Sequence, residues 1–474
     1  MRIYDNEVQK IKSEVLREVA FSAFNKTLEE DILGIPSKVN PGPKARYRCC
    51  IYHERAVTVE RVQMAIGGNN IKSQIVEVLD SACDKCLVYR FVVTETCRGC
   101  LANRCIKSCP VDAIQMVNSK AVIDQSKCIE CGKCKSACPY GAIADVMRPC
   151  KRGCPTNAIK IDENKKAVID YKKCISCGAC VYQCPFGAMQ EKSEIVSVIN
   201  DLMKENNDMY AILAPSFATQ FDYVELGKVI SGIKSLGFRD VIEVALGADL
   251  IINHEATELL EFKSEKKVLT SSCCPGFVNY IYLKYPELKD SISSTVSPMV
   301  ATARLIKKID KNAKIVFVGP CIAKKSEKLR VEDVDYVLTF EELAAMIDAK
   351  DIDLENHDAM PLNNASYFGR KFAATGGVTL AIKNFLDDKG IDDVTIETCD
   401  GINECDKALK LLKFNRLNAD FIEGMACKGG CIKGPATMHH GAKDIKSIDA
   451  YSKKAKENNY ITSTKIFENI NMSI

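Results

Sequence analysis

Five cysteines in the second half of the chain lie in three short segments that could together bind one metal cluster. The segments are TSSCCPGF (270–277), VGPCIAKKSE (318–327) and EGMACKGGCIKGP (423–435). A loop with two adjacent cysteines, a loop with one and a Cys-x3-Cys loop can converge, so that four thiolates surround an iron–sulfur cube and one thiol is spare. Thiolates are soft ligands that suit iron–sulfur chemistry. The segments therefore predict a buried iron–sulfur site.

A second group of cysteines, between residues 81 and 190, forms an internal repeat. Each unit has cysteines ending in Cys-Pro, then a small-residue turn and a short strand pair. Residues 128–139 and 174–185 match the bacterial ferredoxin pattern C-x2-C-x2-C-x3-C-P, whereas residues 97–110 have four residues, not two, between the second and third cysteines. In this pattern the fourth cysteine ligates the other cluster of a pair. The repeat predicts ferredoxin-like domains with 4Fe-4S clusters.

When each fourth cysteine is assigned to the other cluster of its pair, three cubes each receive four cysteine ligands. Enough cysteines remain for one more cube. The three sets are Cys97, Cys100, Cys105 and Cys138, then Cys128, Cys131, Cys134 and Cys109, then Cys174, Cys177, Cys180 and Cys154. Cys150 and Cys184 remain, and the CDKC pair, Cys83 and Cys86, supplies two more ligands for the fourth cube. The alternative for Cys83 and Cys86 is a separate small metal site or a reduced pair.

Length and composition limit the class of protein. The 474 residues, 47% of them hydrophobic, suffice for two or three globular domains, and a net charge of +3 gives no indication of nucleic-acid binding. Twenty-five cysteines occur in a chain that begins MRIYDNEVQKIKSEV, without an apolar signal region. No apolar stretch approaches the roughly 18 residues of a transmembrane helix. We therefore expect a cytoplasmic protein, off the membrane, whose cysteines bind metal.

Residues 1–80 are expected to form a helical module of unknown role. Apolar residues recur at helical spacing at Val8, Ile11, Val15, Leu16 and Val19. The Pro- and Gly-rich stretch 34–44 is expected to end this helical region. Cys49 and Cys50 follow, and two adjacent cysteines can hardly ligate one cube. We interpret them as core or redox-inert residues, with one ligand of an extra cluster as the alternative.

Between residues 205 and 440, apolar strands alternate with helical segments. The candidate strands are residues 210–216, 241–246, 267–272, 314–319, 371–376, 394–399 and 419–427. Such strands, separated by helices, indicate parallel sheets covered on both faces. The three cysteine segments follow strand ends, which is where ligands bind in open α/β sheets. The polar, Lys-rich tail, residues 441–474, is expected to be peripheral.

The three cysteine segments and their surroundings resemble the active-site loops of the FeFe hydrogenases, over about residues 205–440. The resemblance implies a two-lobed α/β H-cluster domain with parallel sheets, preceded at 81–190 by α+β bacterial-ferredoxin-like 4Fe-4S domains. It implies reversible hydrogen oxidation and proton reduction at an H-cluster, a 4Fe-4S cube joined to a two-iron subcluster with CO, cyanide and a bridging dithiolate. Three to four accessory 4Fe-4S clusters would relay electrons to a soluble carrier such as ferredoxin, and hydrogenase maturation proteins would be further partners.

The same resemblance implies roles for single residues. The ligands of the active-site cube are Cys274, Cys321, Cys427 and Cys431, with Cys431 bridging to the two-iron subcluster. Residues that match positions beside the subcluster are Ala214, Pro215, Ser216, Lys324 and Met425, with Lys324 holding a cyanide. The proton relay matches Cys273, Glu255, Glu258 and Ser297. A solvated lysine at Lys324 and an exposed acidic helix face for Glu255 and Glu258 are the alternatives.

Several positions depart from the prototypical hydrogenases and resemble a divergent subgroup, often called group B. Gly319 replaces a methionine, Phe277 replaces a tryptophan, Phe262 stands where the relay ends in arginine, and the glycine run after Cys431 is shortened. Cys399 and Cys405 match no cluster spacing and are predicted to be buried as small apolar residues.

Two other functions remain as alternatives to catalysis. A non-catalytic iron–sulfur assembly or scaffold protein would keep the cube and lose the two-iron subcluster, but Cys273, Lys324, Met425 and Cys431 are all retained here. A hydrogen-sensing protein would carry a signalling domain, for which the division of this sequence leaves no residues. The sequence therefore favours an enzyme, an FeFe hydrogenase of the ferredoxin-linked type.

Overall fold

Four helices begin the computed structural model, which describes residues 3–205, 207–362, 365–456 and 472–473. They are α1 (Glu7–Phe24), α2 (Leu28–Asp31), α3 (Ile35–Val39) and α4 (Ile51–Ala65). The Asn6 side chain accepts hydrogen bonds from the first backbone amides of α1, and the predicted apolar face packs inward. The helical module is confirmed, but α3 lies inside the stretch that was expected to end it, because Pro36 is compatible with a first helical turn.

Short strands and helices follow in the cysteine-rich region. In chain order they are β1 (Val76–Val78), β2 (Phe91–Val93), α5 (Arg104–Lys107), β3 (Ile114–Val117), β4 (Lys120–Ile123), α6 (Lys133–Ala137), β5 (Ile143–Asp145), α7 (Pro149–Arg152), β6 (Ile159–Ile161), β7 (Ala167–Ile169), α8 (Ala179–Gln183) and β8 (Met189–Glu191). The antiparallel pairs are β2 with β5, β3 with β4, β6 with β7, and β1 with β8. The predicted strand pair forms in two of the four units, as β3 with β4 and β6 with β7. The other two units each contain one strand: β5 pairs with β2, and β8 pairs with β1 of the N-terminal module.

The remaining elements form an α/β domain. They are α9 (Ile195–Leu202), β9 (Met209–Leu213), α10 (Phe217–Gln220), α11 (Leu226–Ser235), β10 (Asp240–Glu243), α12 (Val244–Ser264), β11 (Leu269–Thr270), α13 (Pro275–Lys284), α14 (Pro298–Ile309), β12 (Lys314–Gly319), α15 (Ala323–Lys328), β13 (Tyr336–Thr339), α16 (Phe340–Ala349), α17 (Tyr367–Lys371), α18 (Gly377–Asp388), β14 (Ile396–Asp400), α19 (Ile402–Lys413), β15 (Phe421–Met425) and α20 (Asp444–Ser452). No described helix is long and apolar enough to span a membrane.

Two parallel sheets position the site. One has the order β10-β9-β12-β13 and the other the order β11-β15-β14, and every pair in them is parallel. Strand β12 is buried beyond its first residue, as expected for a strand covered by helices on both faces. The two-lobed α/β fold is confirmed.

Three details of the sequence prediction are wrong. Residues 371–376 are no strand: they leave α17 and turn into α18 at Gly376, whose φ of +85° suits glycine. The predicted strand 241–246 stops at Glu243, where α12 begins. Strand β13 was missed because it has four residues and runs into the capping box of α16, formed by Thr339 and Glu342.

Two further expectations about burial need correction. Cys49 and Cys50 are exposed and so are not core residues, because they lie where the chain enters α4 at the surface. In the tail, α20 is not peripheral, since Ile448 and Tyr451 are buried in the main core. Residues 457–471 of the predicted tail lie outside the described residues.

A buried ionic network joins the N-terminal helix to both neighbouring units. Lys12 of α1 donates to Glu191 of β8 and to Glu341 of α16, and all three side chains are buried. Beside it, Lys325 donates to Glu342 at 3.0 Å. These contacts fix α1 against the cysteine-rich region and the α/β domain at once.

Candidate functional site

Four thiols meet at the carboxyl ends of the parallel strands. Cys274 precedes α13, Cys321 follows β12, and Cys427 and Cys431 follow β15. Burial raises the pKa of Cys321 to about 11 and that of Cys431 to about 12, and neighbouring thiols add to both shifts. Burial also raises the pKa of the Cys427 thiol, and the other three thiols raise it further. The four predicted ligands of the active-site cube are therefore neighbours, and cluster binding must release their protons.

A cavity opens beside three of these thiols. It has about 80 Å³ accessible to the centre of a water molecule. Its walls are mostly apolar and include every residue that sequence similarity placed beside a two-iron subcluster, namely Ala214, Pro215, Ser216, Lys324 and Met425. The Ser216 hydroxyl is buried without a hydrogen-bond partner among the described residues. An apolar wall that carries the Lys324 cation and the buried Ser216 hydroxyl fits a group with small neutral and anionic ligands.

Lys324 supplies the cation of this cavity. Its side chain is buried, and its Nζ atom donates to Glu327 at 2.6 Å and to the Cys273 carbonyl at 3.3 Å. Burial lowers the pKa of Lys324, but the charge and hydrogen bond of Glu327, together with nearby Cys321 and Cys273, outweigh burial and the pKa rises overall. The lysine stays protonated and faces the cavity, so the alternative of a solvated lysine is wrong.

Aromatic side chains fill the space at two positions that depart from the resembled family. A Cβ atom on Gly319 would lie 2.6 Å from the Phe317 ring, so Phe317 covers the wall where most relatives are expected to have methionine. Phe277 is fully buried against Gly424, where a Cβ atom would lie 2.2 Å from the ring. Sequence analysis missed Phe317, although its place two residues before Gly319 on a strand puts both on one face.

The predicted proton relay is brought together in part. Cys273 lines the cavity, and Glu255 of α12 contributes to the rise of its pKa after burial itself. Glu255 is buried, which raises its pKa to about 8; neither of its oxygens has a hydrogen-bond partner among the described residues, although the Ser272 amide lies near enough to lower the pKa slightly. The Ser297 hydroxyl is also buried, and no described residue forms a hydrogen bond with it.

Glu258 continues this relay towards the surface. It accepts hydrogen bonds from the Ser293 hydroxyl at 2.6 Å and from the amide of the exposed Ser294 at 2.8 Å. Glu255 and Glu258 interact electrostatically. One acid is fully buried and the other is anchored, so an exposed acidic helix face does not describe this pair.

Sequence analysis missed Glu423, which is buried beside the site. Its carboxylate accepts from the amides of Gly376 and Thr379, both at 2.8 Å, and it lies near Cys431 and Cys273. It ties the turn before α18 to β15. Its place two residues before Met425 in the third cysteine segment was the available signal.

The ferredoxin-like cysteines gather in the predicted sets. One small cavity is lined by Cys109, Cys128, Cys131 and Cys134. Cys138 and Cys100 raise the pKa of the Cys105 thiol, and Cys97 lies in the same apolar cluster. The pKa of the Cys180 thiol is likewise raised by Cys177, Cys174 and Cys154. No three described His, Cys, Asp or Glu side chains converge closely enough for a single metal ion. A cube holds its ligands around several iron atoms and needs wider spacing.

The fourth set also converges. Burial raises the pKa of Cys150 to about 12, and the thiols of Cys184, Cys86 and Cys83 raise it further. Arg148, itself buried, places its Nη1 atom 3.6 Å from the Cys83 sulfur. Sequence analysis missed this arginine. A charged donor beside a thiolate stabilises negative charge on a cluster.

A repeated hydrogen bond supports ligand roles for the cysteines of the four Cys-Pro units. In each unit the amide four residues after the cysteine donates to its sulfur, at 3.2–3.4 Å. The pairs are Ala113 with Cys109, Ala142 with Cys138, Ala158 with Cys154, and Ala188 with Cys184. Amide donors of this kind tune cluster potentials.

The third set lies against the active-site cube. A Cβ atom on Gly276 would lie 3.7 Å from the Cys177 Cβ and 3.9 Å from the Cys274 sulfur. The charge of Cys321 also contributes to the pKa of Cys177. The two predicted cluster sites are therefore adjacent. Cys399 and Cys405 belong to none of these sets and are buried, as predicted. The charge of Cys274 contributes to the pKa of Cys405, whose sulfur lies 3.6 Å from the Met425 carbonyl oxygen.

Fold and site together define an iron–sulfur protein with an α/β cluster domain and ferredoxin-like 4Fe-4S domains. Residues 207–435 match the family described as iron only hydrogenase large subunit, C-terminal domain, and residues 91–139 and 148–188 each match a 4Fe-4S dicluster domain. The chain belongs to the iron-only, or FeFe, hydrogenase family.

Three relatives illustrate the range of this similarity. Iron hydrogenase 1 of Clostridium pasteurianum is 31% identical over 76% of this chain and 73% of its own length. The periplasmic [Fe] hydrogenase large subunit of Nitratidesulfovibrio vulgaris is 32% identical over 66% of this chain and 85% of its own. Cytosolic Fe-S cluster assembly factor NAR1 of Candida dubliniensis is 31% identical over 24% of each chain.

Proposed function

We propose that this protein is an FeFe hydrogenase that interconverts dihydrogen with protons and electrons at an H-cluster. The observation that carries the proposal is the apolar cavity beside Cys274, Cys321 and Cys431, lined by Lys324 and Ser216. A plain 4Fe-4S site needs four thiols and no cavity next to them. Free thiols and cluster sites both suit a reducing compartment such as the cytoplasm.

The chain's own residues would hold the group and move its protons. Cys274, Cys321, Cys427 and Cys431 would hold the cube, and Lys324 and Ser216 would donate hydrogen bonds to the subcluster's ligands. When bound, the H-cluster supplies the cleavage and formation of dihydrogen.

Cys273 would exchange a proton at its sulfur with Glu255. Ser297 and Glu258 would then pass that proton to the surface near Ser294. The apolar walls would exclude water, so that protons follow this route.

Electrons would leave through the adjacent third cube. The contact between Cys177 and the Cys274 loop supports this order. The accessory cubes would pass electrons to a soluble carrier such as ferredoxin, and hydrogenase maturation proteins would load the subcluster.

Infrared spectroscopy of the matured protein tests the proposal. We expect bands of iron-bound CO and cyanide together with hydrogen turnover in both directions with reduced and oxidised ferredoxin. Cys431→Ser should lose the bands and keep the accessory clusters, whereas the control Cys50→Ser, at an exposed cysteine outside all sets, should keep both. Strong bands and near-normal turnover in Cys431→Ser would contradict the assignment.

Iron–sulfur assembly is the second candidate, because a quarter of the chain is similar to a cluster assembly factor. An assembly protein would bind the cube without the two-iron subcluster. A protein matured together with hydrogenase maturation proteins that shows no CO or cyanide bands, yet transfers a cluster to an acceptor apoprotein, would favour this second function.

A further inference from the structure

Two exposed cysteines lie outside every cluster set. Cys49 and Cys50 immediately precede α4, and their sulfur atoms are 3.9 Å apart. Adjacent thiols at this distance can react with the same group. They can also react with each other once the peptide between them twists, because consecutive Cα atoms lie closer together than in most disulfides. Their exposure leaves them accessible to another molecule.

His53 is oriented to act as a base for the first thiol. Its Nδ1 atom is 3.2 Å from the Cys49 sulfur, and its Nε2 atom is 2.8 Å from the Ser81 carbonyl oxygen. A carbonyl oxygen only accepts, so Nε2 carries the hydrogen and Nδ1 is left as an acceptor. The Cys49 thiol therefore has a base within hydrogen-bond reach.

The second thiol has different surroundings. The backbone amide of His53 is the largest cause of a lowered Cys50 pKa, and Cys49 and the amide of Tyr52 contribute as well. Amides at the start of a helix stabilise a thiolate. One sulfur is thus prepared as a nucleophile and the other has a base for its proton.

The surrounding charges hold this arrangement in place. Arg48 pairs with Asp84 at 3.0 Å, and the other oxygen of Asp84 is 3.7 Å from the His53 Nε2 atom. Glu60 accepts a hydrogen bond from the Ser81 hydroxyl at 2.6 Å. This bond holds Ser81, whose carbonyl oxygen contacts His53, in place. These contacts also anchor the loop that carries Cys83 and Cys86.

We propose that Cys49, Cys50 and His53 form a thiol–disulfide exchange site that reduces a substrate disulfide. The Cys50 thiolate attacks one sulfur of the substrate, which forms a mixed disulfide and releases the first substrate thiolate. Cys49 then gives its proton to the His53 Nδ1 atom and attacks the Cys50 sulfur. The Cys49–Cys50 bond forms, the second substrate thiolate leaves, and both substrate thiolates take up protons from His53 and solvent.

This activity is independent of the proposed hydrogenase function. It requires no cluster in the exchange step, and the two electrons move from the dithiol to the substrate disulfide. A subsequent dithiol reductant of the cell would return the site to its starting state.

The test uses the cluster-loaded protein under anaerobic conditions, with glutathione disulfide as a small probe and insulin as a protein probe. After each incubation, free thiols are alkylated, and the mass of the peptide that carries both cysteines is measured by mass spectrometry. We expect Cys49 and Cys50 to lose their alkylation together. The mass of their peptide should be two hydrogens below that of the unalkylated reduced peptide, and two probe thiols should be released per site. Reaction with one probe alone identifies the substrate source.

Single variants separate the roles of the two sulfurs. Cys49→Ser should accumulate a stable mixed disulfide on Cys50. Cys50→Ser should react with the probes at least about tenfold more slowly than the wild type. His53→Gln should slow formation of the Cys49–Cys50 bond about tenfold and shift the pH profile of that step, whereas His357→Gln, at a half-buried histidine elsewhere, should not.

Unchanged iron content and circular dichroism show that a variant is folded. Phenylarsine oxide, which captures paired thiols, gives a second measurement of the dithiol without any exchange. Oxidation of neither cysteine by either probe, or a wild-type rate and pH profile of Cys49–Cys50 bond formation in folded His53→Gln, would overturn the proposal.

Discussion

Two adjacent cysteines before α13 have separate surroundings, although the sequence gives them the same chemistry. Cys274 lies among the other ligand thiols, whereas Cys273 also borders Glu255 and the cavity wall. Cys274 has extended backbone, in which successive side chains point to opposite sides. Under the proposed function, one sulfur would hold the cube and the other would carry protons.

Replacing Cys273 by alanine should stop proton delivery without preventing cluster assembly. We expect hydrogen turnover to fall about 10²-fold to 10⁴-fold, because a positioned acid or base contributes that much. The infrared bands of the complete H-cluster should remain. Cys399→Ala, at another buried cysteine, is the control and should retain turnover. Wild-type turnover in Cys273→Ala would show that protons leave by another path.

Residue types in these short segments were enough to predict the thiols, Lys324 and Met425, because each has a fixed offset from a ligand. Phe317 and Arg148 were not predictable in this way. Phe317 matters because it fills space over Gly319, and Arg148 reaches Cys83 across 65 positions. Such contacts depend on how distant segments pack.

At the scale of elements, the lengths of strands and the turns between them decided what the sequence could predict. Long apolar runs such as β12 were recognised with their bounds. The segment 371–376 is also largely apolar, but its small residues and Gly376 form a turn against Gly430. Apolar content alone does not separate a buried turn from a buried strand.

The four cysteines of the fourth set come from three different elements, so their role can be tested by removing one loop's contribution. Cys83→Ala combined with Cys86→Ala should lower the iron content by about four atoms per chain. The other accessory clusters should keep their electron paramagnetic resonance signals. Cys399→Ala with Cys405→Ala is a matched buried pair and should change neither quantity. An unchanged iron content in the first variant would exclude these ligands.

Helix α1 depends on a buried lysine for its position. Lys12→Met should lower the free energy of unfolding by about 3–5 kcal/mol, because two buried carboxylates lose their shared cation. Chemical denaturation gives this value. Lys10→Met is the control, since Lys10 is exposed and 4.0 Å from Glu7.

Neutralising both acids in the Lys12→Met background, with Glu191→Gln and Glu341→Gln, should recover much of the lost stability. A Lys12→Met protein as stable as the wild type would show that α1 is held by apolar packing alone.

At the scale of the whole molecule, buried acids make stability depend on pH. Burial raises the pKa of Asp249 from 3.8 to about 7, although hydrogen bonds from Ser366 oppose this. The folded state therefore binds a proton that the unfolded state releases near pH 4. The stability linked to Asp249 is complete below that pH and is lost as the pH rises through 7.

Asp249→Asn should make stability less dependent on pH between about 4 and 7, by at most about 4 kcal/mol. Unfolding midpoints of the cluster-loaded protein across this range measure the effect. Asp222→Asn, at an exposed aspartate, should leave the wild-type slope unchanged. The same slope in Asp249→Asn and the wild type would contradict a raised pKa.

The contacts of α1 also bear on when the protein can acquire its metal in the cell. Gln9 donates to the Thr437 carbonyl at 2.9 Å, and Asp5 pairs with His440 at 2.8 Å. The ribosome makes α1 long before it makes residues 437–440, which follow the Cys427–Cys431 loop. These two contacts of α1 cannot form until that loop has emerged, and the predicted ligands from Cys274 to Cys431 cannot all be present earlier. The proposed active-site cube can therefore be completed only after Cys431 has been translated.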